Sequence, residues 1–345
     1  MALAALKGGC KAFFGYPITP QSELPEYLSR HMKDYGGVFL QAESEVAAIN
    51  MVYGAASAGI RAMTSSSSPG VALKQEGISY MAGAELPGVI INVMRGGPGL
   101  GGIQPSQADY KQVTRGGGNG DYYCLAFAPE SLQETVDIIK EAFVLADLYR
   151  NPVMIAVDGL IGQMMEPVDV DRPIPDYDLP EKNWAANGTM GKRERNIVNS
   201  LYLKPVELEE HSLRLFKKYQ TMKEKEQRYE IVNGEDAEIM IVAYGTMARI
   251  CRSAIETLRE QGVKVGLLRP ISIWPYPEKA FDELSPTVKG LLTCELSTGQ
   301  MIDDVKIANR GRLPIGFFGR TGGMLPETEE IVAAVLDMLK ELRHE

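Results

Sequence analysis

The chain is poor in cysteine and histidine, and both shortages are informative. Its four cysteines, Cys10, Cys124, Cys251 and Cys294, lie far apart. No C-x-x-C pair exists, so nothing points to an iron–sulfur ligand set or a zinc site. The same scatter leaves no disulfide framework, and a reducing cytoplasm is the expected compartment. The three histidines, His31, His211 and His344, are too few and too dispersed for a histidine metal site or for Ser–His–Asp chemistry. No metal site is expected in this chain. No apolar run reaches the roughly 18 residues of a membrane helix. Met1–Leu6 is apolar, but Lys7-Gly8-Gly9 follows at once, which reads as a short helix of the fold rather than a secretory signal. Basic charge is scarce as well. Against 45 acidic residues stand 36 lysines and arginines, a net charge of −9, which opposes general nucleic-acid binding.

What is present is a periodic pattern of short apolar runs and helical stretches. In the first half, strands are expected at Gly37–Leu40, Arg61–Ser65, Gly88–Met94, Tyr123–Ala126 and Pro152–Val157. Helices are expected between them at Glu43–Ala58, Val71–Ala84 and Ser131–Leu148, the last opened by Ser131 and Glu134 as a capping box. Strands alternating with helices predict a parallel sheet covered on both faces. Pro167–Lys182 is rich in proline and aspartate and reads as an extended linker. Leu203–Tyr229 reads as one long surface helix, with Lys217, Lys218, Lys223 and Lys225 on a solvated face. A second α/β unit begins near Glu235, with strands at Ala237–Ala243, Val263–Leu268, Gly290–Cys294 and Leu313–Phe318. The expected fold is therefore α/β, with two doubly wound parallel-sheet domains at residues 1–168 and 235–345 and a linker with a charged helix at 169–234.

Several segments carry possible chemistry. Gly97-Pro-Gly-Leu-Gly-Gly102 fits G-x-G-x-x-G after a buried strand, yet Pro98 and Pro105 leave no helix to open at its last glycine, as a dinucleotide site requires. It reads better as a loop that approaches a ligand or partner closely. Gly116–Asp121 is a second glycine-rich loop, with too few acidic side chains for a metal. Tyr16-Pro-Ile-Thr-Pro20 is held extended by its two prolines, which fixes Thr19 in place. Glu43 and Glu45 stand at the start of a helix. A favourable helix-end charge would explain both, but the helix that follows is almost wholly apolar, and a carboxylate at the mouth of a buried helix is a functional candidate. Arg95 ends a buried strand, where open α/β sheets bind ligands, and its guanidinium suits a carboxylate.

Together Tyr16–Pro20, Glu43–Ala48 with Tyr53-Gly54-Ala55, Leu86–Arg95, Pro105–Asp109 and Asp158–Val168 resemble the alpha-type subunit of the 2-oxoacid:ferredoxin oxidoreductases. The likeness is strongest to the branched-chain (3-methyl-2-oxobutanoate, or ketoisovalerate) enzymes, then to the 2-oxoglutarate enzymes. Val242–Gly245, Leu268-Arg-Pro270 and Glu295–Gln300 are similar to the C-terminal domain of transketolase-like proteins. The resemblance implies a thiamine-diphosphate pyrimidine-binding domain followed by a transketolase C-terminal-like domain. It implies CoA-dependent oxidative decarboxylation of a 2-oxoacid, with electrons passing to an external ferredoxin. It also carries roles over to residues: Glu45 as the acid against the cofactor's pyrimidine, with Pro17 and Ile18 as cofactor contacts, and Thr19 and Arg95 as substrate contacts. Glu43 is left with the helix-end role. Asn119 departs from the pattern, since histidine is expected there. The chain has no G-D-G followed by asparagine for magnesium and diphosphate. A beta-type subunit is therefore implied for that half of the site, with a ferredoxin-like iron–sulfur subunit and a gamma-type subunit beside it. Two rivals remain: a component of another thiamine enzyme, which would lack the Tyr16–Pro20 segment, and a scaffolding paralogue, which would not need Thr19, Glu45 and Arg95 together.

Overall fold

A computed structural model describes residues 1–344. The first unit runs α1 (Ala2–Lys7), β1 (Ala12–Gly15), α2 (Glu23–His31), β2 (Val38–Gln41), α3 (Glu45–Ser57), β3 (Ala62–Ser66), α4 (Ser68–Gly83), β4 (Gly88–Met94), α5 (Tyr110–Arg115), β5 (Leu125–Phe127), α6 (Leu132–Tyr149), β6 (Pro152–Asp158) and α7 (Gly159–Gln163). After the linker come α8 (Pro205–Lys225), β7 (Tyr229–Val232), β8 (Ile239–Val242), α9 (Gly245–Glu260), β9 (Val265–Pro270), β10 (Ser272–Trp274), β11 (Gly290–Glu295), α10 (Met301–Asn309), β12 (Ile315–Gly319) and α11 (Thr328–His344).

The seven-stranded sheet has the order β10-β5-β6-β4-β3-β1-β2. Strands β4 and β6 are buried along their whole length and pair in parallel from Gly88↔Pro152 to Met94↔Asp158. Their Val/Ile/Met-rich runs, broken only by Asn92 in β4 and closed by Asp158 in β6, are what a strand covered on both faces requires. The second sheet has the order β12-β11-β8-β9-β7. Each sheet is parallel except for one antiparallel strand at an edge, β10 against β5 and β7 against β9.

Both sheets reverse their winding direction, the first between β1 and β3 and the second between β8 and β11. Such switch points open a crevice beyond the carboxyl ends of the strands. The two carboxyl ends meet. Gln107 donates to Tyr244 O at 2.8 Å and accepts from Leu296 N at 2.9 Å, so one side chain ties the loop after β4 to both strands of the second switch point. Asp158, at the end of β6, caps α7 through Leu160 N (3.0 Å) and accepts the Thr246 hydroxyl at 2.7 Å. Burial pushes its carboxyl up, and these hydrogen bonds oppose that rise.

Three strands are missing from the sequence reading: β1, β7 and β10. Each has three or four residues, too few to show a period of two. The strand expected at Tyr123–Ala126 lies at Leu125–Phe127. Ser131 does cap α6, accepting Glu134 N at 3.2 Å, but Glu134 returns the bond to Glu130 N, one residue before the cap. Its carboxylate also grips Arg269 of the second unit with two bonds of 2.8 and 2.9 Å. The lysine run corrects the solvated-face expectation in part. Lys217, Lys223 and Lys225 are exposed. Lys218 turns inward to Glu85 (3.4 Å) and Arg150 O (3.2 Å), and burial pulls its ammonium down to about 8.

Candidate functional site

The β1/β3 switch point gathers Thr19, Glu45 and Arg95 from three separate connections. Thr19 lies beyond β1, Glu45 is the first residue of α3 beyond β2, and Arg95 follows β4. The Arg95 guanidinium is buried. It donates to Thr19 O at 2.8 Å and to Leu100 O at 3.1 Å, which pins the Tyr16–Pro20 segment to the glycine-rich loop. That loop closes on itself through Gly96 N to Gln104 O and Gly102 N to Gly96 O, each 3.0 Å. No helix follows until α5 at Tyr110, so a dinucleotide pyrophosphate has no helix N-terminus to meet.

Glu45 is buried, and Ser44 caps its helix by accepting Ala47 N at 3.1 Å. Glu43 is exposed and lies outside the helix, before the cap. The two acids that looked alike in sequence therefore occupy different environments. Across from Glu45 stands the first turn of α4. A Cβ at Gly70 would collide with Ser66 Oγ and lie 2.8 Å from Glu45 Oε1, and one at Gly77 would lie 2.5 Å from Ile49. The two glycines let α3 and α4 approach closely. Between them, on the same face of α4, is Lys74. Its side chain is fully buried, its ammonium has no hydrogen-bond partner, and burial draws it down to about 8 against the pull of Glu45. Pro17 and Thr19 are exposed and Ile18 is half-buried, so this segment forms the open lip of the crevice.

Some site residues had been assigned no role from sequence. Asp109 accepts from the Ser68 hydroxyl at 2.5 Å and from Asn92 Nδ2 at 2.9 Å, and Ser68 Oγ accepts Arg95 N at 3.0 Å. Burial raises the Asp109 carboxyl, opposed by Ser68, Asn92 and Arg95. Gln21 accepts from Ser65 at 2.5 Å across the switch point. Several buried polar atoms here are unpartnered: Thr64 Oγ1, Ser66 Oγ, Ser67 Oγ, Lys74 Nζ and Arg95 Nε. Buried polar groups normally find partners, and two of these orphans, Ser66 Oγ and Lys74 Nζ, belong to the α3–α4 contact beside Glu45. Glu45 itself makes no hydrogen bond among the described residues, which leaves its carboxyl free for a polar group. Among the described residues no three His, Cys, Asp or Glu side chains gather to hold a metal ion. The Gly116–Asp121 loop is tied to α4 by Gln75, which accepts Gly117 N at 3.0 Å, and by Ser79, which donates to Asn119 O at 2.5 Å.

Residues 3–230 match the family described as pyruvate flavodoxin/ferredoxin oxidoreductase, thiamine-diphosphate-binding, and residues 237–331 match pyruvate:ferredoxin oxidoreductase core domain II. The chain belongs to the 2-oxoacid:ferredoxin oxidoreductase family. It is 48% identical to the ketoisovalerate oxidoreductase subunit VorB of Methanothermobacter marburgensis, over 98% of this chain and 96% of that one. It is 34% identical to the 2-oxoglutarate synthase subunit KorA of Methanothermobacter thermautotrophicus, again over 98% and 96%. Among solved structures it superimposes on the 2-oxoglutarate:ferredoxin oxidoreductase of Magnetococcus marinus, described with 2-oxoglutarate, coenzyme A and succinyl-CoA bound. The TM-score is 0.84 and the identity 26%, over 98% of this chain and 64% of that longer one. Among the described residues of this oxidoreductase subunit, no helix is long and apolar enough to cross a membrane.

Proposed function

We propose that this chain is the alpha-type subunit of a branched-chain 2-oxoacid:ferredoxin oxidoreductase and supplies the pyrimidine half of a shared thiamine-diphosphate site. The observation that carries the reading is Glu45: a buried carboxyl without a hydrogen-bond partner at the β1/β3 switch point, beside the unpartnered Ser66 Oγ and Lys74 Nζ. Thiamine diphosphate, when bound, supplies the nucleophilic carbon that makes carbon dioxide leave a 2-oxoacid. Glu45 holds a proton at the pyrimidine edge, and Pro17 and Ile18 form the wall on which that ring rests. Arg95 anchors the Tyr16–Pro20 lip, so Thr19 and the guanidinium face the 2-oxoacid carboxylate together. The family membership, with no G-D-G followed by asparagine in this sequence, supports a beta-type partner that brings magnesium and holds the diphosphate. The scattered cysteines support iron–sulfur clusters in a ferredoxin-like partner, with a gamma-type subunit, coenzyme A as co-substrate and an external ferredoxin as acceptor. The higher identity to the ketoisovalerate subunit supports 3-methyl-2-oxobutanoate over 2-oxoglutarate.

Two measurements test this. Calorimetry on the isolated chain should show weak or no thiamine-diphosphate binding, and tight magnesium-dependent binding would refute the split site. In the assembled complex, with a viologen dye as acceptor, kcat/KM should favour 3-methyl-2-oxobutanoate. A clear preference for 2-oxoglutarate would overturn the substrate and leave the split site standing.

A further inference from the structure

Helix α4 buries a stripe of side chains spaced three and four residues apart, Val71, Lys74, Ile78 and Met81, and each is fully buried. Three of the four are apolar, as that spacing requires of a helix facing a core. Lys74 sits in the middle of the stripe, and its ammonium has no hydrogen-bond partner. Packing alone would favour an uncharged chain of the same length there, because a charge buried without a partner costs folding free energy. A buried lysine with one specific charge beside it is a functional candidate, and here that charge is Glu45.

The helix pair directs the two groups toward each other. Gly70 and Gly77 lie one turn before and one turn after Lys74 on the same side of α4, and they face Glu45 and Ile49, themselves one turn apart on α3. Helical side chains lean back toward the N-terminus of their own helix. That lean carries Lys74 over Gly70 toward Glu45, and the missing Cβ leaves it room. The other charged or titratable groups around α4 are engaged elsewhere. Arg95 holds Thr19 O and Leu100 O, and Asp109 takes the Ser68 hydroxyl and Asn92. Glu76 accepts the Tyr80 hydroxyl at the surface, and Asp158, at the end of β6, accepts that of Thr246. Tyr53 is half-buried and lies about two turns beyond Glu45 on α3. We propose that Lys74 is a positioning residue for the acid of this site: its ammonium holds the Glu45 carboxylate in place and favours it once the proton has passed to the pyrimidine nitrogen. In that transfer the Glu45 O–H bond breaks, an N–H bond forms, and no electron is gained or lost. Opposite charges in so dry a contact attract strongly enough to bias the step. The inference rests on Glu45 being that acid.

Two measurements test it, and the first needs no cofactor. In a double-mutant cycle by urea unfolding of the full chain at pH 7, Glu45→Gln should lower the folding equilibrium constant about tenfold more in the wild-type background than in the Lys74→Met background. An additive cycle overturns the inference. The second measurement is the pH dependence of cofactor C2-proton exchange in the assembled complex. Without the ammonium the carboxyl keeps its proton to higher pH, so Lys74→Met should move the profile toward alkali by about one pH unit, the same tenfold bias. A lysine with a merely structural role would change stability and leave the profile where it is. An unmoved profile, with Glu45→Gln still abolishing exchange, overturns the role of Lys74 and leaves Glu45 as the acid. Exchange at the wild-type rate in Glu45→Gln refutes the acid itself, and the inference with it.

Discussion

Lys74→Met should stabilise this protein, and the size of the effect follows from where the amine lies. Its ordinary value of 10.5 falls to about 8 because the side chain is buried without a hydrogen-bond partner. At about 1.4 kcal/mol per tenfold change in proton affinity, that gap corresponds to about 3 kcal/mol of destabilisation at neutral pH. The sign follows from proton counting. Below pH 8 both folded and unfolded chains hold the proton, and the folded state bears the full cost of the buried ammonium. Between about 8 and 10.5 the unfolded chain binds more protons than the folded one, so stability rises with pH. Above 10.5 both are neutral and the penalty is gone. Methionine keeps the unbranched shape and removes the charge. In urea unfolding followed by the fluorescence of Trp184 and Trp274, Lys74→Met should be more stable than wild type by about 2–3 kcal/mol at pH 7. The advantage should shrink to nothing by pH 10.5. Lys218, also drawn down to about 8, contributes a similar slope, while Cys10 and Cys124, pushed up to about 12, act in the opposite direction above pH 9. All three cancel in the difference between the two proteins. Equal stability at pH 7, or a difference that does not depend on pH, would show that the amine is paired or hydrated in solution.

Two further outcomes follow from the site. Glu45→Gln should slow cofactor C2-proton exchange in the assembled complex by about 10²–10⁴-fold, as loss of acid–base help does, while Glu43→Gln should exchange at the wild-type rate. The reverse ranking would reassign the acid. Gly70→Ala should destabilise the first unit and impair exchange together, because its Cβ would displace Ser66 and press on Glu45. A cost of about 1–3 kcal/mol is typical of such overpacking, and a variant as stable and active as wild type would show that α3 and α4 stand further apart.

Much of the architecture was legible in the sequence because it depends on local patterning. The runs at Gly88–Met94 and Pro152–Val157 are almost wholly apolar, as central strands are, and glycine or proline separates most elements. The candidate residues Thr19, Glu45 and Arg95 were also visible, since two prolines fix the segment of Thr19, Glu45 stands at the start of a helix, and Arg95 follows a buried strand. Tertiary structure decided the rest. Nothing local distinguishes Glu43 from Glu45; the cap at Ser44 and the approach of Gly70 leave one carboxyl in water and bury the other. Lys74 reads as an ordinary helix-surface lysine, and only the close packing of α3 on α4 encloses it. Lys218 likewise looked solvated until Glu85, far away in the chain, was placed beneath it. Strand β10 has three residues and no pattern of its own, yet it pairs with β5 about 145 positions earlier. Local sequence sets which backbone conformations are cheap. Which side chains lose their water depends on segments that meet only after the chain has folded, and that meeting buried Glu45 and Lys74 together between α3 and α4.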